Sequence, residues 1–237
     1  MIDLNCDVGE GLHNEHLIMP FISSCNIACG GHAGSVEIMD HVIALAIQHD
    51  VKIGVHPSFE DKENFGRVVL DISNKELQQS LVDQMKLFKD RAKRQEANIH
   101  HVKPHGALYN LIAINKEKAE VVVNAIQQVF DHVKMYVPFN SVIEKVAGSA
   151  GIEIIYEAFA DRNYNDDLTL VSRKESNAIL TDPDKIIEHV SRMANESKVK
   201  TITGIEKNIK AQTFCIHGDN ENVIAILEAL QDRFIQS

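Results

Sequence analysis

The sequence predicts an α/β protein built on a mainly parallel β-sheet of about seven strands. Short apolar segments alternate with longer amphipathic ones along the whole chain, which is typical of repeated βα units. Glycine or proline follows most of the short segments, where a strand would end and turn. A length of 237 residues suits one domain of this class. A closed barrel and an open doubly wound sheet both fit the pattern.

Each predicted element has a local signal. The strands are predicted in the segments IDLNCD, NIACG, VKIGVH, IHHVKPH, KMYVP, IEIIYEAF and TFCIHG. Capping boxes at Ser73 and Ser141 predict helix starts, as does Asp182 followed by a proline. NVIAILEALQDRF predicts a closing amphipathic helix. The polar stretch 161–181 interrupts the alternation, so we interpret it as an active-site loop or β-arm inserted in a single domain spanning 1–237.

Composition excludes several classes of function. A net charge of −10 argues against a nucleic-acid surface and against an anionic membrane surface. No apolar run approaches the roughly 18 residues of a membrane span, and the acidic N-terminus does not resemble a signal peptide. Four scattered cysteines predict no disulfide framework, so we expect a cytoplasmic protein. The sequence contains neither a P-loop nor a complete dinucleotide fingerprint.

Acids and histidines recur at the predicted strand ends. The ends read NCDVGE, ACGGHAG, GVHPSF, VKPHGAL, YEAFADR and CIHGD. Because the carboxyl ends of parallel strands lie on one face, these side chains are expected to share a cleft. Alternation along the strands places Asn5, Asp7 and Lys103 inside a barrel, opposite Leu4 and Val102.

A buried histidine is more often a structural group than a ligand. We give the structural interpretation to the histidines on or near helices, namely His13, His16, His41, His49, His100, His101, His132 and His189. Strand-end placement favours a functional role for five other residues, Asp7, His32, His56, His105 and His217. Two or three of these would suffice for a divalent metal such as Zn²⁺ or Mg²⁺. Cys29 as a nucleophile is a weaker alternative to Cys29 as a small buried apolar group.

Six blocks in order resemble the lactam-utilisation (LamB/YcsF) family, which includes the A subunit of 5-oxoprolinase. They are DLNCDVGE, SCNIACGGHAG, GVHPSFEDKENFGR, VKPHGALYN, EAFADRNY and CIHGD. The resemblance implies a distorted β/α barrel of about seven strands, similar to the glycoside hydrolase/deacetylase group. It also implies partner subunits B and C, a small lactam substrate, and cleavage of 5-oxo-L-proline to L-glutamate with ATP as co-substrate.

Strand-end position suggests roles for such chemistry. Lys103 would stabilise charge on an oxygen, and Asp7 or Glu157 would act as the base, with His105 and Asp161 as further catalytic candidates. Arg67 or Arg162 would bind the substrate carboxylate bidentately. The remaining substrate-binding candidates are His32, His217 and Asp219. By analogy with deacetylase-like barrels, Asp7, His56 and His105 form the candidate metal trio. The alternatives are a stand-alone metal-dependent deacetylase or amidohydrolase, and a non-catalytic substrate-binding component.

Overall fold

A closed barrel of seven parallel strands forms the centre of the molecule in a computed structural model that describes residues 2–234. The strands are β1 Leu4–Val8, β2 Ser24–Ala28, β3 Lys52–His56, β4 Ile99–Val102, β5 Lys134–Pro138, β6 Glu153–Phe159, β7 Lys198–Lys200, β8 Glu206–Asn208 and β9 Thr213–His217. The barrel order is β1-β2-β3-β4-β5-β6-β9. Strand β9 closes it by pairing with β1, where His217 faces Asp7, and with β6. The predicted seven-stranded barrel is confirmed, and the open sheet is excluded.

Helices surround the barrel. They are α1 Glu15–Ile18, α2 Val36–Gln48, α3 Asn74–Arg94, α4 Gly106–Ile114, α5 Lys116–Val129, α6 Val142–Ser149, α7 Pro183–Glu196 and α8 Val223–Phe234, with a 3₁₀ turn at Met19–Phe21. None of these described helices combines the length and the apolarity needed to cross a membrane.

The predicted helix starts hold up with one adjustment. Ser73 and Glu76 form the complete capping box of α3. Asp182 caps α7 with Pro183 at the first helical position, where the missing N–H costs nothing. Ser141 caps α6 through its hydroxyl, but the carboxylate of Glu144 accepts from the backbone N–H of Asn140 instead of completing the box.

The two faces of the barrel strands differ in polarity, as their alternation predicts. Outward side chains such as Leu4, Ile27 and Val102 are buried against the helices. Each fully buried aliphatic side chain of this kind contributes about 1.5–3 kcal/mol. Inward side chains such as Asn5 and Lys103 are also buried but are joined by hydrogen bonds. The barrel therefore has an apolar shell around a polar interior.

Two regions lie outside the regular alternation. Between β6 and α7, antiparallel bridges join Arg162 to Ile179 and Tyr164 to Leu170, so the stretch 161–181 folds back on itself as an arm. The antiparallel pair β7 and β8 was missed, because its strands have three residues each and carry mostly exposed charged side chains. The extent of the single domain, 1–237, stays a prediction, since residues 1 and 235–237 lie outside the described part.

Histidine burial predicts acid sensitivity of the fold. Burial lowers the pKa of His189 on α7 to about 4, whereas an unfolded histidine titrates near pH 6.5. Below about pH 6.5 the unfolded chain takes up a proton that folded His189 does not, so stability falls as the pH drops towards 4. We expect urea unfolding of His189→Gln to lose less free energy than wild type between pH 7 and 4.5, by up to roughly 3 kcal/mol. Exposed His132→Gln is the control, and equal pH dependence in wild type and His189→Gln would contradict this.

Candidate active site

A cavity of about 300 Å³ opens at the carboxyl ends of the barrel strands. Five predicted site residues line its inner part, namely Asp7, His56, Lys103, His105 and His217. They come from β1, β3, the segment after β4, and β9. The convergence expected from strand ends is therefore present in the structure, although the chemical roles of these residues remain predictions.

Lys103 occupies the floor of the cavity. Its side chain is 2% exposed, and its Nζ lies 2.9 Å from Asp7 Oδ1 and 2.8 Å from Glu157 Oε1. Nζ also lies 3.1 Å from Cys215 Sγ. Burial by itself would lower the pKa of Lys103, but the negative charges of Asp7 and Glu157 raise it well above its usual value. Lys103 is therefore a cation at neutral pH and not a base.

Three histidines and Glu10 form a cluster beside Lys103. Glu10 Oε1 lies 2.8 Å from His32 Nε2, 3.2 Å from His105 Nδ1 and 3.8 Å from His56 Nε2. The rings of His32 and His105 stack with centroids 3.6 Å apart. Burial alone would raise the pKa of Glu10, but hydrogen bonds with His105 and His32 hold it well below its usual range. Glu10 is therefore a carboxylate held among imidazoles.

Backbone carbonyls fix the tautomers of two of these rings. His56 Nδ1 lies 2.7 Å from the Lys103 carbonyl oxygen and must donate to it. His105 Nε2 donates likewise to the Phe65 carbonyl oxygen at 3.0 Å. In the neutral rings, the lone pairs of His56 Nε2 and His105 Nδ1 then face each other at 2.9 Å, next to Glu10. Burial lowers the pKa of His105, which favours its neutral form. Converging lone pairs and a carboxylate require a proton or a cation between them.

This donor set fits a divalent metal ion. One ligand atom from each of Glu10, His32, His56 and His105 lies within 4.8 Å of the others, and neighbouring ligands of a tetrahedral zinc are about 3.3 Å apart. The outward N–H groups on backbone carbonyls are the usual support of metal-binding histidines. His32 fits less well as a ligand, because its Nδ1 is buried and bonds to no described group.

The cluster changes the candidate trio by one carboxylate. Asp7 Oδ2 lies 3.4 Å from His56 Nε2, so the predicted trio of Asp7, His56 and His105 keeps a compatible geometry. Glu10 was not among the predicted site residues, yet it contacts three histidines. It lies two residues beyond β1, after Gly9 at φ 73°, where strand periodicity no longer applies. Its position in NCDVGE, at a strand end, was the available signal.

A strained loop after β3 supports His105. Phe65 has φ 56°, a left-handed conformation that is uncommon for a residue other than glycine. It presents its carbonyl to His105 and packs its ring edge-on against His105 and His32. Gly66 follows at φ 63°, and a Cβ there would lie 2.3 Å from Ser58 Oγ. Only glycine fits this position without displacing its neighbours.

Asp161 lies behind His217, outside the cavity lining. Its carboxylate lies 2.8 Å from His217 Nδ1 and accepts from the His217 backbone N–H and from Asn220. Burial would raise the pKa of Asp161, but its contacts with His217 lower it. Asp161 thus orients His217, while His32 similarly lies behind His105 and not on the cavity surface.

Arginines and one acid surround the mouth of the cavity. Asp219 Oδ2 binds Arg67 at 2.6 Å and Arg173 at 3.2 Å, which links the segments after β3, β6 and β9. The guanidinium of Arg162 donates to the carbonyls of Val171 and Ala178. Burial, with Arg173 nearby, lowers the pKa of Arg162 to about 10. Both predicted carboxylate-binding arginines line the cavity, and sequence reasoning missed Arg173 on the arm.

The cysteines play different parts. Cys29 is buried away from the cavity lining, next to Gln84, and burial raises the pKa of its thiol. These facts favour the structural interpretation over a nucleophile. Cys215 lies inside the barrel against Lys103, and burial raises the pKa of its thiol as well.

The fold and site together define a β/α-barrel protein with a polar, metal-compatible centre at the strand carboxyl ends. The sequence pattern of the LamB/YcsF family matches residues 2–237, and the chain belongs to this family. It is 43% identical over 235 residues to the 5-oxoprolinase A subunit of Shouchella clausii, covering 97% of this chain and 93% of that protein. It is 40% identical to the 5-oxoprolinase A subunit of Bacillus cytotoxicus, covering 98% and 94%.

Solved structures agree with this assignment. The lactam utilization protein from Thermus thermophilus matches with a TM-score of 0.90 and 33% identity, covering 98% of this chain and 96% of that one. A GH113 β-1,4-mannanase matches with a TM-score of 0.54 and 10% identity over 97% of this chain and 98% of its own. At that identity the mannanase shows the shared barrel fold alone.

Metal binding can be measured directly on the purified chain. We expect Zn²⁺ or Co²⁺ to bind at a single site, and His56→Ala and His105→Ala to weaken binding by at least about tenfold, because each removes one ligand. Exposed His41→Ala on α2 is the control. Calorimetric titration would contradict the metal fit if both site variants bound Zn²⁺ as tightly as wild type and His41→Ala.

Proposed function

We propose that this chain is the A subunit of an ATP-dependent 5-oxoprolinase that opens 5-oxo-L-proline to L-glutamate in the cytoplasm, together with partner subunits B and C. One observation carries the proposal. The buried Lys103 cation, flanked by Asp7 and Glu157, forms the floor of the cavity in a chain related over nearly its full length to proteins named as the A subunit of 5-oxoprolinase.

The chemistry accounts for such a floor. A five-membered lactam is a resonance-stabilised amide whose ring closure is favourable in water, so its opening needs activation, for which ATP is the proposed co-substrate. Charge then develops on the carbonyl oxygen, and a fixed cation in a water-poor site stabilises it strongly. Lys103 supplies that cation. Asp7 lines the same cavity and remains a carboxylate, because the interactions with His56 and Lys103 outweigh its burial and lower its pKa. Asp7 is therefore the better placed of the two proposed bases.

A divalent metal has a proposed place next to this floor. His56 and His105 would hold it together with Glu10 or Asp7. Bound there, it would polarise a carbonyl or lower the pKa of a water molecule. The protein side of this arrangement is the fixed tautomers of the two rings and the carboxylate charge beside them.

The substrate carboxylate has a proposed partner at the mouth. Arg67 is partly exposed beside the cavity and already binds one carboxylate, that of Asp219. Arg162 also lines the cavity, although backbone carbonyls take up two of its guanidinium nitrogens. We assign the carboxylate of the lactam to this arginine-rich rim, at the opposite end of the cavity from Lys103.

Reconstitution tests the proposal. We expect little 5-oxoproline-dependent ATP hydrolysis from the chain alone and clear stimulation, with glutamate formed, when subunits B and C are added. Omitting the lactam controls for background ATP hydrolysis. Glutamate formation without ATP, or metal-dependent cleavage of other small amides by the chain alone, would instead support the stand-alone amidohydrolase. The histidine cluster is the feature that favours this second function.

Removing either of two cavity residues is expected to stop turnover of the reconstituted enzyme. Lys103→Ala removes the cation and leaves Asp7 and Glu157 unpaired, which should also cost about 3–5 kcal/mol of stability. His105→Ala removes one imidazole from the cluster. Circular dichroism checks that each variant is folded, and exposed Lys116→Ala serves as the control. Normal kcat in a folded variant would remove that residue from the mechanism, and turnover persisting in both with bound lactam would favour a non-catalytic binding component.

A further inference from the structure

A chain of hydrogen bonds inside the barrel connects His101 to Asp7. His101 Nε2 lies 2.6 Å from Asn26 Oδ1. Asn26 Nδ2 donates to Asp7 Oδ1 and to Asn5 Oδ1, both at 2.8 Å. His101, Asn26 and Asn5 are each 0% exposed. These residues lie below the cavity, do not line it, and have no place in the function proposed above.

The charge of Asp7 fixes the direction of each bond in this chain. A carboxylate only accepts, so the NH₂ group of Asn26 must face Asp7. The amide oxygen of Asn26 must then accept from His101, whose Nε2 carries the proton. His101 Nδ1 is left as an acceptor, 3.2 Å from His100 Nδ1. Burial, together with the positive charges of nearby groups, lowers the pKa of His101 well below its usual value, which keeps the ring neutral in this arrangement.

The chain controls which oxygen of Asp7 reaches the cavity. Asp7 Oδ1 accepts from both Asn26 and Lys103, at 2.8 Å and 2.9 Å. Two donors on one oxygen hold the carboxylate in a single orientation, and the other oxygen, Oδ2, is directed towards His56 Nε2 at 3.4 Å. Lys103 is a flexible chain that also binds Glu157, whereas Asn26 lies on a barrel strand and approaches Asp7 from one direction only.

His101 is itself held in place by its surroundings. Its ring stacks on that of Tyr136, with centroids 3.7 Å apart and planes 10° apart. On the other side, a Cβ at Gly54 would lie 2.1 Å from His101 Nε2, so the ring occupies the space that glycine leaves in β3. A side chain fixed on both sides transmits its position to Asn26 through a short hydrogen bond.

We propose that His101, acting through Asn26, is a positioning residue that presents Asp7 Oδ2 to the ligand of the cavity. The effect on turnover rests on the proposed function, since it assumes that Asp7 acts on the bound lactam or on a metal. The placement of Asp7 does not depend on that function and can be tested separately.

Two substitutions separate positioning from space filling. His101→Gln keeps an N–H donor at a similar distance from the backbone, whereas His101→Met fills similar space and packs on Tyr136 without a donor. In the complex reconstituted with subunits B and C, we expect His101→Met to lower kcat by about 10- to 100-fold, with KM for 5-oxo-L-proline changed less than about threefold. His101→Gln should stay within about threefold of the wild-type kcat.

Tyr136→Phe is the matched control. It deletes a buried hydrogen bond of 2.9 Å to Ser24 in the same region of the barrel interior, a bond that makes no contact with Asp7. Its kcat should equal that of wild type. A wild-type kcat in His101→Met, or an equal loss in His101→Gln and His101→Met, would overturn the proposal, because a purely structural role predicts no rescue by the donor.

Crystal structures of the two His101 variants give a readout that needs no activity. We expect Asp7 Oδ2 to stay in place in His101→Gln and to move by more than about 1 Å in His101→Met, a displacement large enough to disturb a catalytic geometry. An unmoved Asp7 in His101→Met overturns the positioning role. If wild-type complex forms no glutamate, the proposed function fails, and the crystallographic comparison still decides the role of His101.

Discussion

The buried ammonium of Lys103 is the constraint on which the centre of this barrel depends. A cation 2% exposed inside a protein is costly unless opposite charges and hydrogen bonds surround it. Asp7 and Glu157, on strands β1 and β6, supply the charges. Each of them would be equally costly alone. The three charges therefore stabilise one another across the barrel, and none can be removed without exposing the others to an apolar environment.

This charge cluster determines the neighbouring residues. Asn5 and Asn26 satisfy the remaining oxygens, Thr213 satisfies Asn5, and His101 satisfies Asn26. Each is an uncharged group, so the interior gains hydrogen bonds without further charge to neutralise. Room for the ring of His101 is made by Gly54 in β3. The polar interior is thus connected from β1 to β9, and its connectivity is what makes the burial of so many polar groups tolerable.

Sequence reasoning reached the fold and much of the site for identifiable reasons. Alternation along the barrel strands and the recurrence of acids and histidines at strand ends gave the barrel interior and the convergence of Asp7, His56, Lys103 and His105. The signals failed where regular backbone ends. Glu10 and Arg173 lie in loop and arm segments, whose paths depend on tertiary contacts that periodicity does not encode. His101 was interpreted as structural, although the same alternation places it on the Lys103 side of β4. A strand-by-strand pairing of inward residues would have joined it to Asn26.

Asp7 belongs to both halves of the site, and this sharing has a physical consequence. Its Oδ1 completes the shell of Lys103, while its Oδ2 faces His56 and the histidine cluster. Any change in charge at the cluster therefore acts on the same carboxylate that neutralises Lys103. A cation bound among His56, His105 and Glu10 would draw on that carboxylate and strengthen the effective charge of the Lys103 ammonium towards the cavity. The proximity of the two halves thus makes the electrophilic character of the floor depend on what the cluster binds, through one side chain that cannot fully serve both.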